Sequence, residues 1–487
     1  MSSSTRLRSV ICWTSAAALF LGFLPTLWFY LDRAFRMVLE TNNEGWVAYF
    51  ADRAVHGGVL YPGADEMVMN NYPPLSFYVI GMAGLLTGDT VLAGRLISIL
   101  ALFAIAVTIG VLVARATSKR SAGAFTAAFF LMLFSAYPGG RIGLNDPQLL
   151  GHAVMLVGLA VIWLYPERFG AMFCAAIIMA LAGLIKHNII AVPLAVTAWA
   201  AWRGLCTLLC WLAAAGLAIL LAGALLLAVW GQPALLSILS PRQLSVMKLV
   251  EDTRRMLYLA DIPLAAWLVV VVCKPRDQED LQDRETGLTT ALVGAGLLEL
   301  VISAGGYGVA ANMAFDLVIG LSLALGLAVG RLPQTRAAIV LVAVLVFHVA
   351  LVMPLEPVRI LAGMLPGKAA DEARIRASVA YITAQSGPVL CFDPVLCWYA
   401  GKPFLFDRYN MSQQFVFGRR SEEDLLGRVR RHEFAMIEML QGTLAVPEVP
   451  TWGRLASVLQ ENYEVVRSTD GFVFLLPRPT VRGVESQ

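Results

Sequence analysis

Charged residues are scarce in this chain of 487 residues. They make up 15% of the sequence, whereas a soluble globular domain carries about 25%. Hydrophobic residues make up 58%, more than a water-soluble core needs. The composition therefore excludes an ordinary soluble protein and predicts a chain that lies mostly within a membrane.

A strong excess of one charge is also missing, since the formal net charge is only +3. This value gives no support to nucleic acid as a partner. The five histidines are scattered, and the seven cysteines do not cluster with them as zinc ligands would, so we assign no metal ligand. Cys391 and Cys397 lie close together in a polar region. They either pair in an oxidising compartment or remain two buried thiols.

Long apolar runs fill the first three quarters of the chain. A spanning helix needs roughly 20 apolar residues. The candidate spans are 10–31, 92–114, 121–138, 148–165, 170–186, 189–203, 205–229, 262–273, 288–303, 314–330 and 337–354. The first lacks a convincing cleavage site and is predicted to be retained. A shorter stretch, 74–87, follows a proline and is predicted to lie along the membrane interface.

The distribution of basic residues predicts the orientation of these spans. Short turns rich in arginine and lysine alternate with longer segments rich in asparagine, tyrosine and proline. The positive-inside rule places the basic turns and the N-terminus in the cytoplasm. The large first loop, 32–91, and everything after 355 then lie outside.

The composition changes near residue 355 to that of a soluble domain. Residues 389–392 and 434–437 are predicted to be buried strands, and 464–476 a hairpin that turns at Asp470-Gly471. Charged stretches such as 421–433 suggest helices between them. The predicted fold is a polytopic α-helical membrane protein of about eleven transmembrane helices, residues 1–354, with a small α/β domain, residues 355–487.

Glu44 is the first candidate for chemistry. It lies beside the membrane in the first loop, ahead of an amphipathic stretch and a double proline. Enclosure there would raise the pKa of its carboxyl group, which suits a general base. The alternative is a glutamate that begins a helix and is stabilised by the positive end of the helix dipole. The residues alone favour this alternative.

Asp146 lies in the next outer turn and is followed by Pro147. Aspartate caps helices and proline suits their first turn, so this pair predicts a helix start. A capping aspartate at the membrane face can also orient a substrate or bind a cation.

Lys186-His187-Asn188 interrupts an otherwise apolar stretch. Ionisable groups at such depth are costly and usually functional. Lys186 either binds a phosphate at the outer surface or extends from a helix end to the interface, and the two readings are equally weighted. Arg254 and Arg255 are further phosphate candidates, although a solvated face is the alternative for one of them.

In order along the chain, these segments resemble the GT-C glycosyltransferases. The nearest branch is bacterial and includes the lipid A aminoarabinose and lipopolysaccharide core galacturonosyl transferases, relatives of the protein O-mannosyltransferases. The matching segments are Asn43-Glu44-Gly45, Gly58 through Tyr61-Pro62, Tyr72-Pro73-Pro74-Leu75, Gly94-Arg95-Leu96, Asn145-Asp146-Pro147 and Lys186. The match is best over residues 40–190. It depends on the order and spacing of the motifs rather than on any one of them.

The resemblance implies an inverting transfer of a sugar from a polyprenyl-phosphate carrier to an acceptor hydroxyl on a lipid, glycan or protein. The implied location is the extracytoplasmic face of the bacterial inner membrane, among membrane lipids. The expected acceptor is an envelope lipid or glycan such as lipopolysaccharide, and the C-terminal domain is expected to recognise it. The resemblance firmly implies no cofactor, and it leaves open whether a divalent cation is required.

The resemblance also implies roles for individual residues. Glu44 would be the base and Asp146 would orient the acceptor or a cation, while Lys186 and His187 would hold the leaving phosphate. Arg254 and Arg255 are also assigned to the donor phosphate. The expected substrate pocket contains Asn43, Tyr61, Tyr72, Pro73, Asn145 and Asn188.

One position departs from the family pattern. The family commonly has Asp-Glu where this chain has Asn43-Glu44. Either Glu44 has taken over the role of the aspartate, or the chemistry of the chain is altered. This departure supports one alternative to an active transferase, an inert member of the same fold. A second alternative is a transporter or lipid flippase. Duplicated hydropathy, which transporters often have, is not seen.

Overall fold

The computed structural model describes residues 3–63, 65–137, 142–166, 168–272, 282–442, 452–469 and 471–479. Helices dominate up to Val352. They are α1 Ser3–Ala34, α2 Asn42–Val55, α3 Leu75–Thr87, α4 Thr90–Thr117, α5 Arg120–Ser135, α6 Gln148–Leu164, α7 Phe169–Ile185, α8 Ala191–Arg203, α9 Leu205–Ile238, α10 Val246–Tyr258, α11 Asp261–Val272, α12 Gln282–Ala304, a 3-10 helix Ala311–Ala314, α13 Phe315–Arg331 and α14 Thr335–Val352.

The elements after Val352 are shorter. The helices are α15 Glu356–Leu361, α16 Lys368–Thr383, α17 Pro394–Tyr399, α18 Arg408–Val416, α19 Glu423–Arg430 and α20 Trp452–Asn462. The strands are β1 Val389–Cys391, β2 Met436–Leu440, β3 Tyr463–Thr469 and β4 Phe472–Pro477.

Each of the eleven predicted spans coincides with a helix. Within the described residues, six helices are long and apolar enough to cross a membrane, and α10 with α11, bent by 73°, can form a seventh span. The helices α5 to α8 have only 13 to 17 residues, fewer than the roughly 20 that a perpendicular span needs. The prediction of a polytopic helical membrane protein is confirmed, with six or seven spans of full length.

The core of the bundle surrounds α13. Every residue from Phe315 to Gly330 in this helix is buried. The helix is apolar on nearly all sides, as expected where a helix packs only against other helices. Asp316 is a charged side chain at its N-terminal end, and it lies below the site described in the next section.

Basic side chains gather at one end of the bundle. Arg8 of α1 donates to the carbonyl of Leu332 at 2.7 Å, and Lys119 ahead of α5 donates to the carbonyl of Gly330. Arg331 pairs with Glu285 at 2.9 Å. The turns that were predicted to be cytoplasmic therefore meet at a common end of the bundle.

The C-terminal strands form one sheet in the order β1-β2-β4-β3. Strands β1 and β2 are parallel, while β4 pairs antiparallel with both β2 and β3. The predicted strands and hairpin are confirmed, although Asp470 of the predicted turn lies outside the described residues. Cys391 and Cys397 form a disulfide, the first of the two alternatives. The division of the chain at 354/355 stays a prediction.

The sheet region packs directly on the first loop. Met67 and Met69 of that loop lie in the same apolar core as Phe406. A Cβ on Gly45 would lie 2.3 Å from the backbone nitrogen of Val395, so only glycine lets α2 approach α17 this closely. This contact fixes the start of α2 against the C-terminal elements.

Candidate functional site

A polar cavity of about 290 Å³ lies between the membrane helices and the C-terminal sheet region. We call it the junction cavity. Its membrane wall includes Asn43, Tyr72, Asp146, Lys186, His187 and Asn188. Its opposite wall includes Phe392, Phe404, Asp407, Arg408 and Tyr409. Two parts of the chain that are distant in sequence thus enclose one site.

Asp146 presents its carboxylate in this cavity. One oxygen, Oδ1, accepts a hydrogen bond from the backbone nitrogen of Gln148 at 2.9 Å, so Asp146 caps the start of α6. The other, Oδ2, accepts from the amide of Asn43 at 2.9 Å. The Lys186 ammonium lies 3.8 Å from Oδ1. The residue that was expected to begin a helix does so, and it also faces the cavity.

Lys186 directly follows the last residue of α7. Its nitrogen lies 3.3 Å above the centre of the Tyr72 ring, a cation–π contact. Because Lys186 is only 4% exposed, it does not extend to the interface. Tyr72 is held in turn by Tyr61, whose hydroxyl donates to the Tyr72 carbonyl at 2.9 Å.

His187 and Asn188 carry polar atoms that are buried without a hydrogen-bond partner among the described residues: Nδ1 of His187 and Oδ1 of Asn188. Burial, reinforced by the charges of Lys186 and Arg242, lowers the pKa of His187 to about 3. The imidazole is therefore neutral at neutral pH. It offers a hydrogen bond rather than a charge to a ligand, and an unpaired buried polar atom is typical of a binding site.

Glu44 does not line the junction cavity. Its side chain is 0% exposed and both of its oxygens face Arg95, with Nε–Oε1 and Nη2–Oε2 distances of 2.7 Å. Oε1 also accepts from the backbone nitrogen of Asn145 at 3.0 Å. Glu44 lies in the first turn of α2, as in the alternative interpretation of the sequence. This geometry argues against Glu44 as a base, because no substrate proton can reach it.

The ion pair instead joins the segments that carried the family resemblance. Arg95 also donates to the carbonyls of Arg36 and Val38 in the first loop, both at 2.8 Å. A Cβ on Gly94 would lie 1.8 Å from Oδ1 of Asn145, so the packing requires glycine there. These contacts fix the first loop against α4 and the Asn145 turn, and so place Asn43 and Asp146 side by side.

Five other residues of the expected site also lie outside the cavity. Arg254 and Arg255 lie on the exposed side of α10 and line a separate depression with Glu251. Neither arginine lines the junction cavity that Lys186 lines. Tyr61 and Pro73 are buried behind the cavity wall, and the Asn145 amide is bonded to the Glu44 carbonyl at 3.0 Å.

Several cavity residues were missed by sequence reasoning. Arg242 contributes a cation from the segment between α9 and α10. The amide of Asn42 accepts from Arg408 at 2.5 Å and donates to Asp393 at 3.0 Å. The indole of Trp46 donates to Asp407 at 3.0 Å, and burial raises the pKa of Asp407 to about 6. No local pattern in the sequence predicts these contacts, because they join the first loop to the C-terminal region.

A divalent cation does not fit the residues at Asp146. Among the described residues, no group of three or more His, Cys, Asp or Glu side chains is placed to hold a metal ion. The Asp146 carboxylate already has an amide donor and a nearby ammonium as neighbours. A divalent ion favours several oxygen ligands and no adjacent cation.

Comparison with solved structures identifies the fold. ArnT from Cupriavidus metallidurans, bound to undecaprenyl phosphate, matches with a TM-score of 0.60 at 16% identity, over 95% of this chain and 98% of that one. Its apo state gives a TM-score of 0.61 at 15% identity, with the same coverage. The Archaeoglobus fulgidus oligosaccharyltransferase gives 0.50 at 11% identity, over 89% of this chain and 70% of that one.

At these identities the likeness concerns the fold. The chain shares its overall fold with ArnT, and its own C-terminal strands form a small sheet. No protein-family model matches the sequence. No curated protein matches it either.

Proposed function

We propose that this chain is a GT-C glycosyltransferase that moves a sugar from a polyprenyl-phosphate carrier to an acceptor hydroxyl. The observation that carries the proposal is the pair of Asp146 and Lys186, 3.8 Å apart in a cavity at the edge of the membrane bundle. A lipid carrier brings its phosphate to such an edge while its chain stays in the bilayer. The shared fold with ArnT, which has been seen with undecaprenyl phosphate, supports this choice.

Lys186 and Arg242 are the proposed ligands of the carrier phosphate. Both line the cavity, and their positive charges suit a bound anion. The carrier phosphate gains negative charge as the sugar leaves. Cations placed beforehand therefore stabilise the transition state more than the ground state. Neutral His187 and Asn188 supply hydrogen bonds to the phosphate or to sugar hydroxyls.

Asp146 is the proposed base in place of Glu44. The acceptor hydroxyl gives its proton to the Asp146 carboxylate as its oxygen attacks the anomeric carbon. The bond between that carbon and the phosphate oxygen breaks, and its electron pair leaves with the polyprenyl phosphate. One displacement of this kind inverts the anomeric configuration. The amide of Asn43 holds Oδ2 of Asp146 in position.

The proposed location of the cavity is the extracytoplasmic face of the bacterial inner membrane. The basic turns meet at one end of the bundle, which the positive-inside rule assigns to the cytoplasm. The disulfide between Cys391 and Cys397 suits an oxidising compartment. An acceptor on that face would be an envelope lipid or glycan, and Arg408 and Tyr409 place the C-terminal region beside it.

The test is sugar transfer by the purified protein in detergent, supplied with polyprenyl-phosphate sugars and lipid or glycan acceptors. Wild-type protein is expected to release polyprenyl phosphate, and Lys186→Met to release at least tenfold less. Lys368→Met is the matched control, because this lysine pairs with Glu40 outside the cavity. If folded wild-type protein releases no polyprenyl phosphate with any donor, the result would contradict the proposal and favour the inert or transport alternatives.

A further inference from the structure

Three ionisable side chains meet inside the helical bundle: His152 of α6, Glu299 of α12 and Asp316 of α13. Each is at most 5% exposed. Ionisable groups within membrane helices are costly and are usually retained for function. The proposed sugar transfer uses none of them directly.

The contacts of this cluster connect four helices. Nδ1 of His152 lies 2.8 Å from the carbonyl oxygen of Gln148, which can only accept, so Nδ1 donates. Nε2 lies 3.0 Å from Oδ2 of Asp316. Asp316 lies close enough to Glu299 to interact with it electrostatically, and Oε2 of Glu299 accepts from the backbone nitrogen of Ala191 at 3.0 Å. The cluster therefore connects α6, α13, α12 and the first residue of α8.

Three of these helices begin at the wall of the junction cavity. Helix α6 begins two residues after Asp146, and α8 begins after the turn that carries Lys186, His187 and Asn188. The 3-10 helix ahead of α13 carries Asn312, which lines the cavity. Its amide donates to the Gln148 side chain at 3.3 Å. The cluster lies directly below the residues that form the site.

We propose that His152, Asp316 and Glu299 are positioning residues that set the distance between Asp146 and the Lys186–Asn188 turn. Glu299 fixes the turn by satisfying a backbone nitrogen at the buried start of α8, which otherwise has no acceptor. His152 and Asp316 fix the start of α6, and with it Asp146. The cluster thereby determines how tightly the cavity holds the carrier phosphate, an inference that rests on the proposed function.

The test uses undecaprenyl phosphate as the probe and measures its binding to the purified full chain. Glu299→Ala is expected to weaken binding about tenfold, a change of about 1.4 kcal/mol. Glu299→Gln is expected to bind within about twofold of wild type, because its carbonyl oxygen can still accept from Ala191. The KM for the acceptor should stay unchanged in both variants.

Thr289→Val is the matched control. Thr289 lies on the same helix as Glu299 and is buried, but its hydroxyl donates to the carbonyl of Glu285 in its own helix. If Glu299→Ala does not fold, His152→Leu gives a second test, since an apolar side chain suits the bundle interior. His152→Leu is also expected to weaken binding of undecaprenyl phosphate, because it removes the contact between His152 and Asp316.

A second measurement separates this inference from the proposed function. Hydrogen exchange of the backbone amides at 187–191 should be faster in Glu299→Ala than in wild type, with no ligand present. If exchange is faster in Glu299→Ala but the wild-type protein binds no undecaprenyl phosphate, the proposed function is overturned and the positioning role is retained. Unchanged exchange and unchanged binding in Glu299→Ala would overturn the positioning role. Equal losses of undecaprenyl phosphate binding in Glu299→Gln and Glu299→Ala would also overturn the positioning role.

Discussion

Replacement of Glu44 by glutamine tests whether this carboxylate is structural or catalytic. Its two oxygens each lie 2.7 Å from a nitrogen of Arg95, and both side chains are fully buried. Glutamine would direct an amide group at the guanidinium and leave the charge of Arg95 without a counter-ion. We therefore expect Glu44→Gln to lose stability first and activity only as a consequence.

The magnitude follows from the burial of the pair. Removal of one partner from a buried ion pair costs about 3–5 kcal/mol, a large share of the roughly 5–15 kcal/mol that stabilises a typical fold. Removal of both partners leaves no uncompensated charge. The double variant Glu44→Leu/Arg95→Leu should therefore be more stable than Glu44→Gln.

Thermal melting in detergent, read beside the transfer rate, is the assay. Glu44→Gln is expected to melt well below wild type, and the double variant is expected to recover part of the difference. A Glu44→Gln protein that melts as wild type does and transfers no sugar would refute this reasoning. It would restore the role that the sequence first suggested for Glu44.

Three further predictions concern the cavity and the C-terminal region. Asn43→Asp places a second carboxylate beside Asp146, where the Asn43 amide now lies at 2.9 Å. Because adjacent carboxylates resist ionising together, the acid limb of the pH–rate profile should move to higher pH. An unchanged profile would mean that the two side chains do not touch. Burial and the nearby charge of Asp393 raise the pKa of Glu438 from 4.5 to about 8. Between these two pH values the folded protein holds a proton that the unfolded chain releases. Stability therefore falls as pH rises from 4.5 to about 8, by up to about 1.4 kcal/mol per pH unit. The stability of Glu438→Gln, measured by thermal melting, should fall less steeply with pH than that of wild type, and equal slopes would contradict the assignment. Alanine at both Arg254 and Arg255 should leave the transfer rate within about twofold of wild type, since they line a depression separate from the cavity. A large loss of rate would return them to the donor site.

The helices could be predicted from the sequence because their signal is local. Each apolar run is long enough to be recognised by composition alone, and all eleven predicted runs are helices. The number of full-length spans could not be predicted in the same way. Short helices such as α8, with 13 residues, are apolar enough to resemble spans but too short to cross a bilayer perpendicularly.

Part of the candidate site could also be predicted locally. Asp146 and Lys186 are polar residues that interrupt apolar sequence, and both line the cavity. The ion pair of Glu44 could not be predicted, because its partner, Arg95, lies in another helix and nothing near Glu44 in the sequence indicates the pair. Arg408 was missed for a related reason: it reaches the cavity only because the C-terminal region packs on the first loop.

The most direct test of the account compares Asp146→Asn with Asp89→Asn for the release of polyprenyl phosphate. Both aspartates cap helices, and asparagine caps as well as aspartate does, so neither change should unfold the protein. Only Asp146 faces the cavity. We predict that Asp89→Asn retains the wild-type rate and that Asp146→Asn, though folded, releases polyprenyl phosphate at least a hundredfold more slowly. Wild-type release by Asp146→Asn would contradict the account and remove Asp146 from the chemistry.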